Sequence, residues 1–320
     1  MRHRSRGRPG LPAWGAVAAM MLCPGAALAD VGRRDFADTM LFDDPEPDDS
    51  LTFPGFSMQS FNGEADAPPT REYEIGFELE KRITSRLSLS LSDGYAIVTA
   101  PGLKTQTGFQ SLVLGAKYEV IHSPTHEFVL SLGVQRLIGN TGAARLEAGQ
   151  TGVTTPLLLF GKGFGDLQVD ALRPLAVTGS FGYAIADRKL KATPITGGDD
   201  DDPAGTVFNK GLENRWVGGV SVQYSLLYMD AEVRHLNLPD WMIGLTPIVE
   251  VLWSSPASRP SREGTQWLIA PGLIWSNENW QFGIEALIPG NRASGRNVGV
   301  IAQLKIGLGV IAPRLGRPLF

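Results

Sequence analysis

"NVGVIAQLKIGL", residues 297–308, separates into two sets when every second residue is taken. Val298, Val300, Ala302, Leu304, Ile306 and Leu308 form an apolar set. Asn297, Gly299, Ile301, Gln303, Lys305 and Gly307 form a mixed, largely polar one. A period of two marks a β-strand, whose successive side chains leave on opposite faces. What lies on each side decides the fold. In a soluble sandwich the apolar set meets protein core and the other meets bulk water. In a membrane barrel the apolar set meets lipid and the other meets an enclosed lumen.

The same alternation recurs along the chain. "REYEIGFELEK" (71–81) sets Tyr73, Ile75, Phe77 and Leu79 against Glu72, Glu74, Gly76, Glu78 and Glu80. "RLSLSLS" (86–92) alternates leucine with serine. "SLVLGAKYEV" (111–120) and "EFVLSLGVQ" (127–135) repeat the pattern, as do stretches near 153–162, 171–184, 214–226, 243–254, 265–276 and 280–288. No segment carries a helical period, so the chain reads as all-β. The polar faces are rich in Gly and Ser with isolated Glu, Lys and Gln, which suits a lumen better than the dense charge of a soluble sheet. Tyr95, Trp216, Trp241, Trp253, Trp267, Trp275 and Trp280 stand at strand ends, where each is either part of an interfacial girdle or a core aromatic.

Connection lengths alternate. Short links at 82–85, 121–125, 163–168 and 277–279 interleave with longer ones at 98–108, 138–152, 186–211, 255–264 and 289–296, while 227–242 is longer than its short siblings. Outer-membrane barrels have short periplasmic turns and long outer loops. By that rule strand 71–81 runs downward, and a periplasmic N-terminus requires an earlier upward strand. "LTFPGFSMQSF" (51–61) is the only candidate, although Pro54 fits a paired strand poorly. The reading is an antiparallel transmembrane β-barrel of about 12 strands, within a range of 10–14, both termini periplasmic.

The N-terminus agrees with export. "MRHRSRGRPG" carries Arg2, Arg4, Arg6 and Arg8, an Ala-rich apolar run follows, and Ala27-Leu28-Ala29 fits a cleavage site. Residues 1–29 are therefore expected as a signal peptide, 30–50 as a flexible periplasmic segment, 51–310 as the barrel and 311–320 as a tail. Cleavage would remove Cys23, the one cysteine, and with it disulfide and thiolate chemistry. It would also take the formal charge from −4 to −8, which disfavours nucleic acid as a partner. No later stretch approaches the ~20 apolar residues of a membrane helix.

Candidate sites are few. "GKGFGD" (161–166) lacks both the Walker spacing and a following helix. His122 and His126 share one turn with Pro124 between them and no third ligand, and His235 stands alone. Asp199, Asp200, Asp201 and Asp202 offer carboxylates to Ca²⁺ but not in the alternate-residue spacing of an EF-hand, so they read as an acidic outer loop and a weak calcium candidate. A lipid-modifying enzyme would need nucleophile and base together near the outer leaflet. The histidines fall on the opposite side, so no enzyme and no cofactor is expected. The inward charges are Glu74, Glu78, Lys117, Glu119, Glu250, Glu285 and Lys305. They form either a constriction that selects solutes or structural ion pairs in a narrow interior, since about 12 strands allows both.

"YEIGFELEKRITSRLSLSLSDGY", "LVLGAKYEV…HEFVLSLGV", "TPLLLFGKGFGDL", "LRPLAVTGSFGY", "EALIPGNRASGRNVGVIAQL" and the terminal "LGRPLF" resemble a family of Gram-negative outer-membrane β-barrels. That family is related to the transporters named after the meta-pathway of phenol degradation. The resemblance covers most of 70–320 and supplies no catalytic residues. It implies a cell-outer-membrane location and passage of small, hydrophobic or aromatic solutes, with outer-membrane lipid and the solute as partners. The tail departs from the family pattern: Pro313 and Pro318 end the last strand before Phe320. The alternatives are a structural or adhesive outer-membrane barrel with a closed lumen, an outer-membrane lipid-modifying enzyme, and a soluble periplasmic β protein.

Overall fold

Alternating segments of this kind pair with their sequence neighbours through short turns, and the chain does so until its ends meet. A computed structural model describes residues 34–63, 68–146, 151–189, 192–194, 206–208, 211–258, 264–277 and 279–320. Its strands are β1 (Ser50–Phe61), β2 (Thr70–Thr84), β3 (Leu87–Thr99), β4 (Gln106–Phe109), β5 (Val113–Ser123), β6 (Phe128–Leu137), β7 (Val153–Gly163) and β8 (Leu175–Ala186). A small hairpin, β9 (Ala192–Pro194) and β10 (Thr206–Phe208), stands apart. Then come β11 (Arg215–Tyr224), β12 (Leu245–Pro256), β13 (Gln266–Ser276), β14 (Trp280–Pro289) and β15 (Gly299–Gly307). β4 and β5 lie end to end along β3 and make one stave, so twelve antiparallel staves form the wall. β1 pairs with β2 on one side and with β15 on the other, which closes the barrel.

The strand least suited by sequence is the one that closes it. Pro54 cannot donate to a ladder, and β1 accommodates it by slipping register between Thr52 and Gly55 against both neighbours. A bulge there leaves Phe53 and Pro54 unpaired while the rest of the strand stays in the sheet.

Burial is inverted relative to a soluble protein. On β2, Glu74, Glu78 and Glu80 are buried while Ile75, Phe77 and Leu79 face outward. On β15, Gln303 and Lys305 are buried and the Val300–Leu304–Ile306 face is the outer one. A contiguous apolar outer surface of this extent is stable only against lipid. The apolar set of the opening stretch therefore lies on the outer surface of the barrel.

Aromatic side chains mark both rims of that surface. Toward the long loops, Trp216 stacks on Phe181 at 5.4 Å and meets Tyr183 at 4.6 Å, and Trp253 meets Trp267 at 6.4 Å. Toward the short turns, Trp275 donates its indole N–H to the Trp241 carbonyl at 3.1 Å. From Trp267 to Trp275 along β13 is roughly 26 Å at ~3.3 Å per residue. A tilt of about 40° leaves ~20 Å of height, close to the apolar band of outer-membrane barrels.

Two connections differ from the sequence expectation. β8 begins at Leu175, later than expected, because Arg173 and Pro174 present their carbonyls inward to Arg34. The long 227–242 link winds into short helical turns (Leu226–Tyr228, Met229–Val233 and Asp240–Ile243) across the short-turn end. After β15 the tail runs back beside the end of β2, with the N–H of Phe320 donating to the Ile83 carbonyl at 3.0 Å and the ring exposed. The expected signal peptide and Asp199–Asp202 lie outside the described residues.

Candidate functional site

The lumen is occupied by the chain itself. Residues 30–50 read as a flexible periplasmic segment, and for 34–49 that expectation is corrected: the segment lies inside the barrel, with nearly every side chain buried. The reason is sequence chemistry read in the wrong context. "FADTMLF" (36–42) supplies apolar side chains and "DDPEPDD" (43–49) supplies carboxylates, and the inner wall offers a matching surface for each.

Both ends of the segment sit at the short-turn end, so it forms a loop pushed into the barrel. At one end Arg34 is paired with Glu127 at 3.2 Å, donates to the Pro174 carbonyl at 3.1 Å, and stacks over the Tyr228 ring at 3.6 Å. At the other, Asp49 accepts from the backbone N–H and the Nε of Arg82 at 2.9 and 2.8 Å and is paired with Lys81. The tip turns at Thr39–Asp44. There the Asp44 carboxylate accepts the Thr39 N–H at 3.2 Å, and the Thr39 hydroxyl donates to the Phe42 carbonyl at 2.6 Å.

Between those ends, side chains from the wall replace the hydrogen bonds that backbone gives up when it leaves water. Gln223 on β11 brackets Ala37, accepting its N–H at 2.7 Å and donating to its carbonyl at 3.0 Å. Gln281 on β14 accepts the Asp38 N–H at 3.3 Å. Glu250 on β12 takes the N–H groups of Met40 and Leu41, one on each oxygen, at 2.7 and 3.1 Å. Lys305 is paired with Asp38 at 3.0 Å and with Asp48 at 3.7 Å. Lys117 reaches Asp43 and Glu80, both at 3.2 Å, and the Asp44 carbonyl at 2.9 Å. Ser131 donates to the Pro45 carbonyl.

Apolar contacts complete the fit. Met40, Leu41 and Phe42 pack with Leu252, Leu268, Ala270, Leu287 and Ile301 of the inner wall. Fully burying side chains of this size is worth about 1.5–3 kcal/mol each. Glycines make the room: a Cβ on Gly219 would lie 2.4 Å from the Phe42 ring, and one on Gly283 would lie 2.6 Å from the Met40 sulfur.

The seven charges singled out by alternation are all buried, and they divide into groups. Lys117, Glu250 and Lys305 hold the inserted segment. Glu119 sits lower and adjoins His122 at 3.3 Å. Glu285 lies across the bare backbone of Gly272, its carboxyl group against that of Glu250. Glu74 and Glu78 do not bond the segment and line a cavity beside it. The partners Asp38, Asp43, Asp48, Glu80, Glu127, Gln223 and Gln281 were not singled out. An apolar cluster followed by an acidic run, just before the first strand, was the available signal. Among the described residues no group of three or more His, Cys, Asp or Glu side chains is placed to hold a metal.

No family model matches the chain, and no curated protein matches it. Solved structures do. An outer membrane channel from Pseudomonas putida F1 superposes with a TM-score of 0.54 at 10% identity, covering 81% of this chain and 95% of that one. The NanC porin gives 0.45 at 11% identity over 81% of this chain and 98% of its own. The KdgM porin in complex with disordered oligogalacturonate gives 0.42 at 10%, over 79% and 98%. The fold of this chain is that of an outer-membrane β-barrel.

Proposed function

We propose that this protein is an outer-membrane channel for small solutes whose resting lumen is filled by its own segment 34–49. The carrying observation is the manner of that filling. The wall holds the segment through separate side-chain contacts from β2, β5, β6, β11, β12, β14 and β15, and among the described residues no strand pairing ties its middle to the sheet. Such a loop can leave without unzipping a stave. The resemblance to phenol-pathway transporters extends the reading to hydrophobic or aromatic solutes.

A structural barrel with a permanently closed lumen is the second reading, favoured by the complete burial of Lys305 and Glu250 against the segment. Planar-bilayer recordings separate the two. The full chain is expected to give rare, small openings, and a chain lacking residues 34–49 a steady and larger conductance. A deletion that inserts and stays silent would leave the closed-lumen reading standing.

A further inference from the structure

Beside the inserted segment, against the wall of β1, β2 and β3, the lumen keeps a cavity. Three glycines in register hollow out this wall: Gly55 faces Gly76 across β1 and β2, and Gly76 faces Gly94 across β2 and β3. A Cβ on Gly94 would lie 2.2 Å from a carboxyl oxygen of Glu74, so a bare backbone there is what lets Glu74 lie across the sheet. Glu78 and Asp93 are the other carboxylates of the lining, and among the described residues no Lys, Arg or His lines the cavity.

Four polar atoms of the lining have no hydrogen-bond partner: Glu78 Oε2, Thr52 Oγ1, Ser111 Oγ and Gln303 Nε2. Each belongs to a side chain at least nine-tenths buried. Buried polar groups are otherwise almost always paired, and an uncompensated buried carboxylate is the most costly exception. Four exceptions around one cavity point to a missing group.

We infer that this cavity is a subsite for a protonated amine, either free ammonium or the head of a small primary alkylamine. The inference deepens the channel reading and rests on it. An ammonium group offers positive charge and several N–H donors. Glu78 Oε2 and the hydroxyl oxygens of Thr52 and Ser111 are the acceptors it requires, and the Gln303 amide presents its oxygen when rotated. A calcium ion would need about six to eight oxygen ligands, and among the described residues no group of three or more carboxylates is placed to hold a metal.

The test is thermal unfolding of the full chain in detergent, titrated with ammonium, methylammonium or tetramethylammonium chloride and balanced with sodium chloride to constant ionic strength. Methylammonium should raise the midpoint, as a ligand specific for the folded state does. Tetramethylammonium, which has no N–H, should not. Glu78→Gln should weaken the apparent affinity at least tenfold and Ser111→Ala about threefold. A response to ammonium alone assigns the site to the free cation, and a response to both assigns it to the amine head. The inference is overturned if wild type, Glu78→Gln and Ser111→Ala respond alike, or if tetramethylammonium acts as methylammonium does. Currents through the chain lacking 34–49 test the channel reading separately. Conduction without amine-dependent stabilisation overturns the subsite and leaves the channel, and stabilisation without conduction does the reverse.

Discussion

Replacing Lys305 by methionine should release the inserted segment while leaving the barrel assembled. Lys305 is fully buried, and its ammonium lies 3.0 Å from one Asp38 oxygen and 3.7 Å from one Asp48 oxygen. Methionine keeps most of the volume and removes the charge, so two carboxylates on the segment lose their cation. Breaking a truly buried pair costs about 3–5 kcal/mol. The barrel cannot relieve that cost, because β15 is held on both sides by β1 and β14. The segment can relieve it by leaving for water. At ~1.4 kcal/mol per decade, the ratio of inserted to released segment should fall by roughly two to three and a half decades. A reporter thiol reads this ratio: Met40→Cys, in a Cys23→Ser background since Cys23 is the chain's only native cysteine. Met40 is fully buried, so the reporter should react slowly with maleimide in the parent. It should react at least a hundredfold faster with Lys305→Met added. Equal labelling rates in the two proteins, both refolded into lipid vesicles, would refute the assignment of Lys305 as a holder of the segment.

Steric exclusion should produce the same release by another route. Gly219→Val places a Cβ where the Phe42 ring lies, so Met40→Cys should again label quickly, and adding Phe42→Ala should restore protection; a double variant that stays exposed would count against the contact. Leu304→Lys, one residue from Lys305 and on the lipid face, should cost about 2–4 kcal/mol of barrel stability near the bilayer midplane. It should do so in a vesicle refolding titration and leave Met40→Cys protected, whereas a neutral result would mean that the outer face does not meet lipid.

The polar-face alternation was sufficient to find the charges that point inward, but not what they point at. A period of two places Glu250 and Lys305 on one side of a sheet whatever the sheet encloses. Their partners lie more than 200 positions away in Met40, Leu41 and Asp38. The segment holding those partners has no alternation to read, and its acidic run, two prolines included, has the composition of a free linker. It becomes interior because carboxylates that would be solvated in isolation meet Lys117 and Lys305. The long 227–242 link was visible as an anomaly of length, and its cause is the anchoring it provides: Tyr228 donates to Glu127 at 2.8 Å beneath the Arg34 guanidinium.

Local pattern alone therefore determined the strand class, a count of about twelve staves and the outward-facing apolar set, because each depends only on which side of a strand a residue leaves and where that strand ends. Closure through a proline-bearing first strand, and the state of the lumen, were decided by tertiary structure. Both depend on surfaces brought together from opposite ends of the chain: β1 against β15, glycines against Phe42 and Met40, lysines against a distant acidic run. Complementarity across such separations has no period along the sequence. It exists only once the barrel has closed around the segment that fills it.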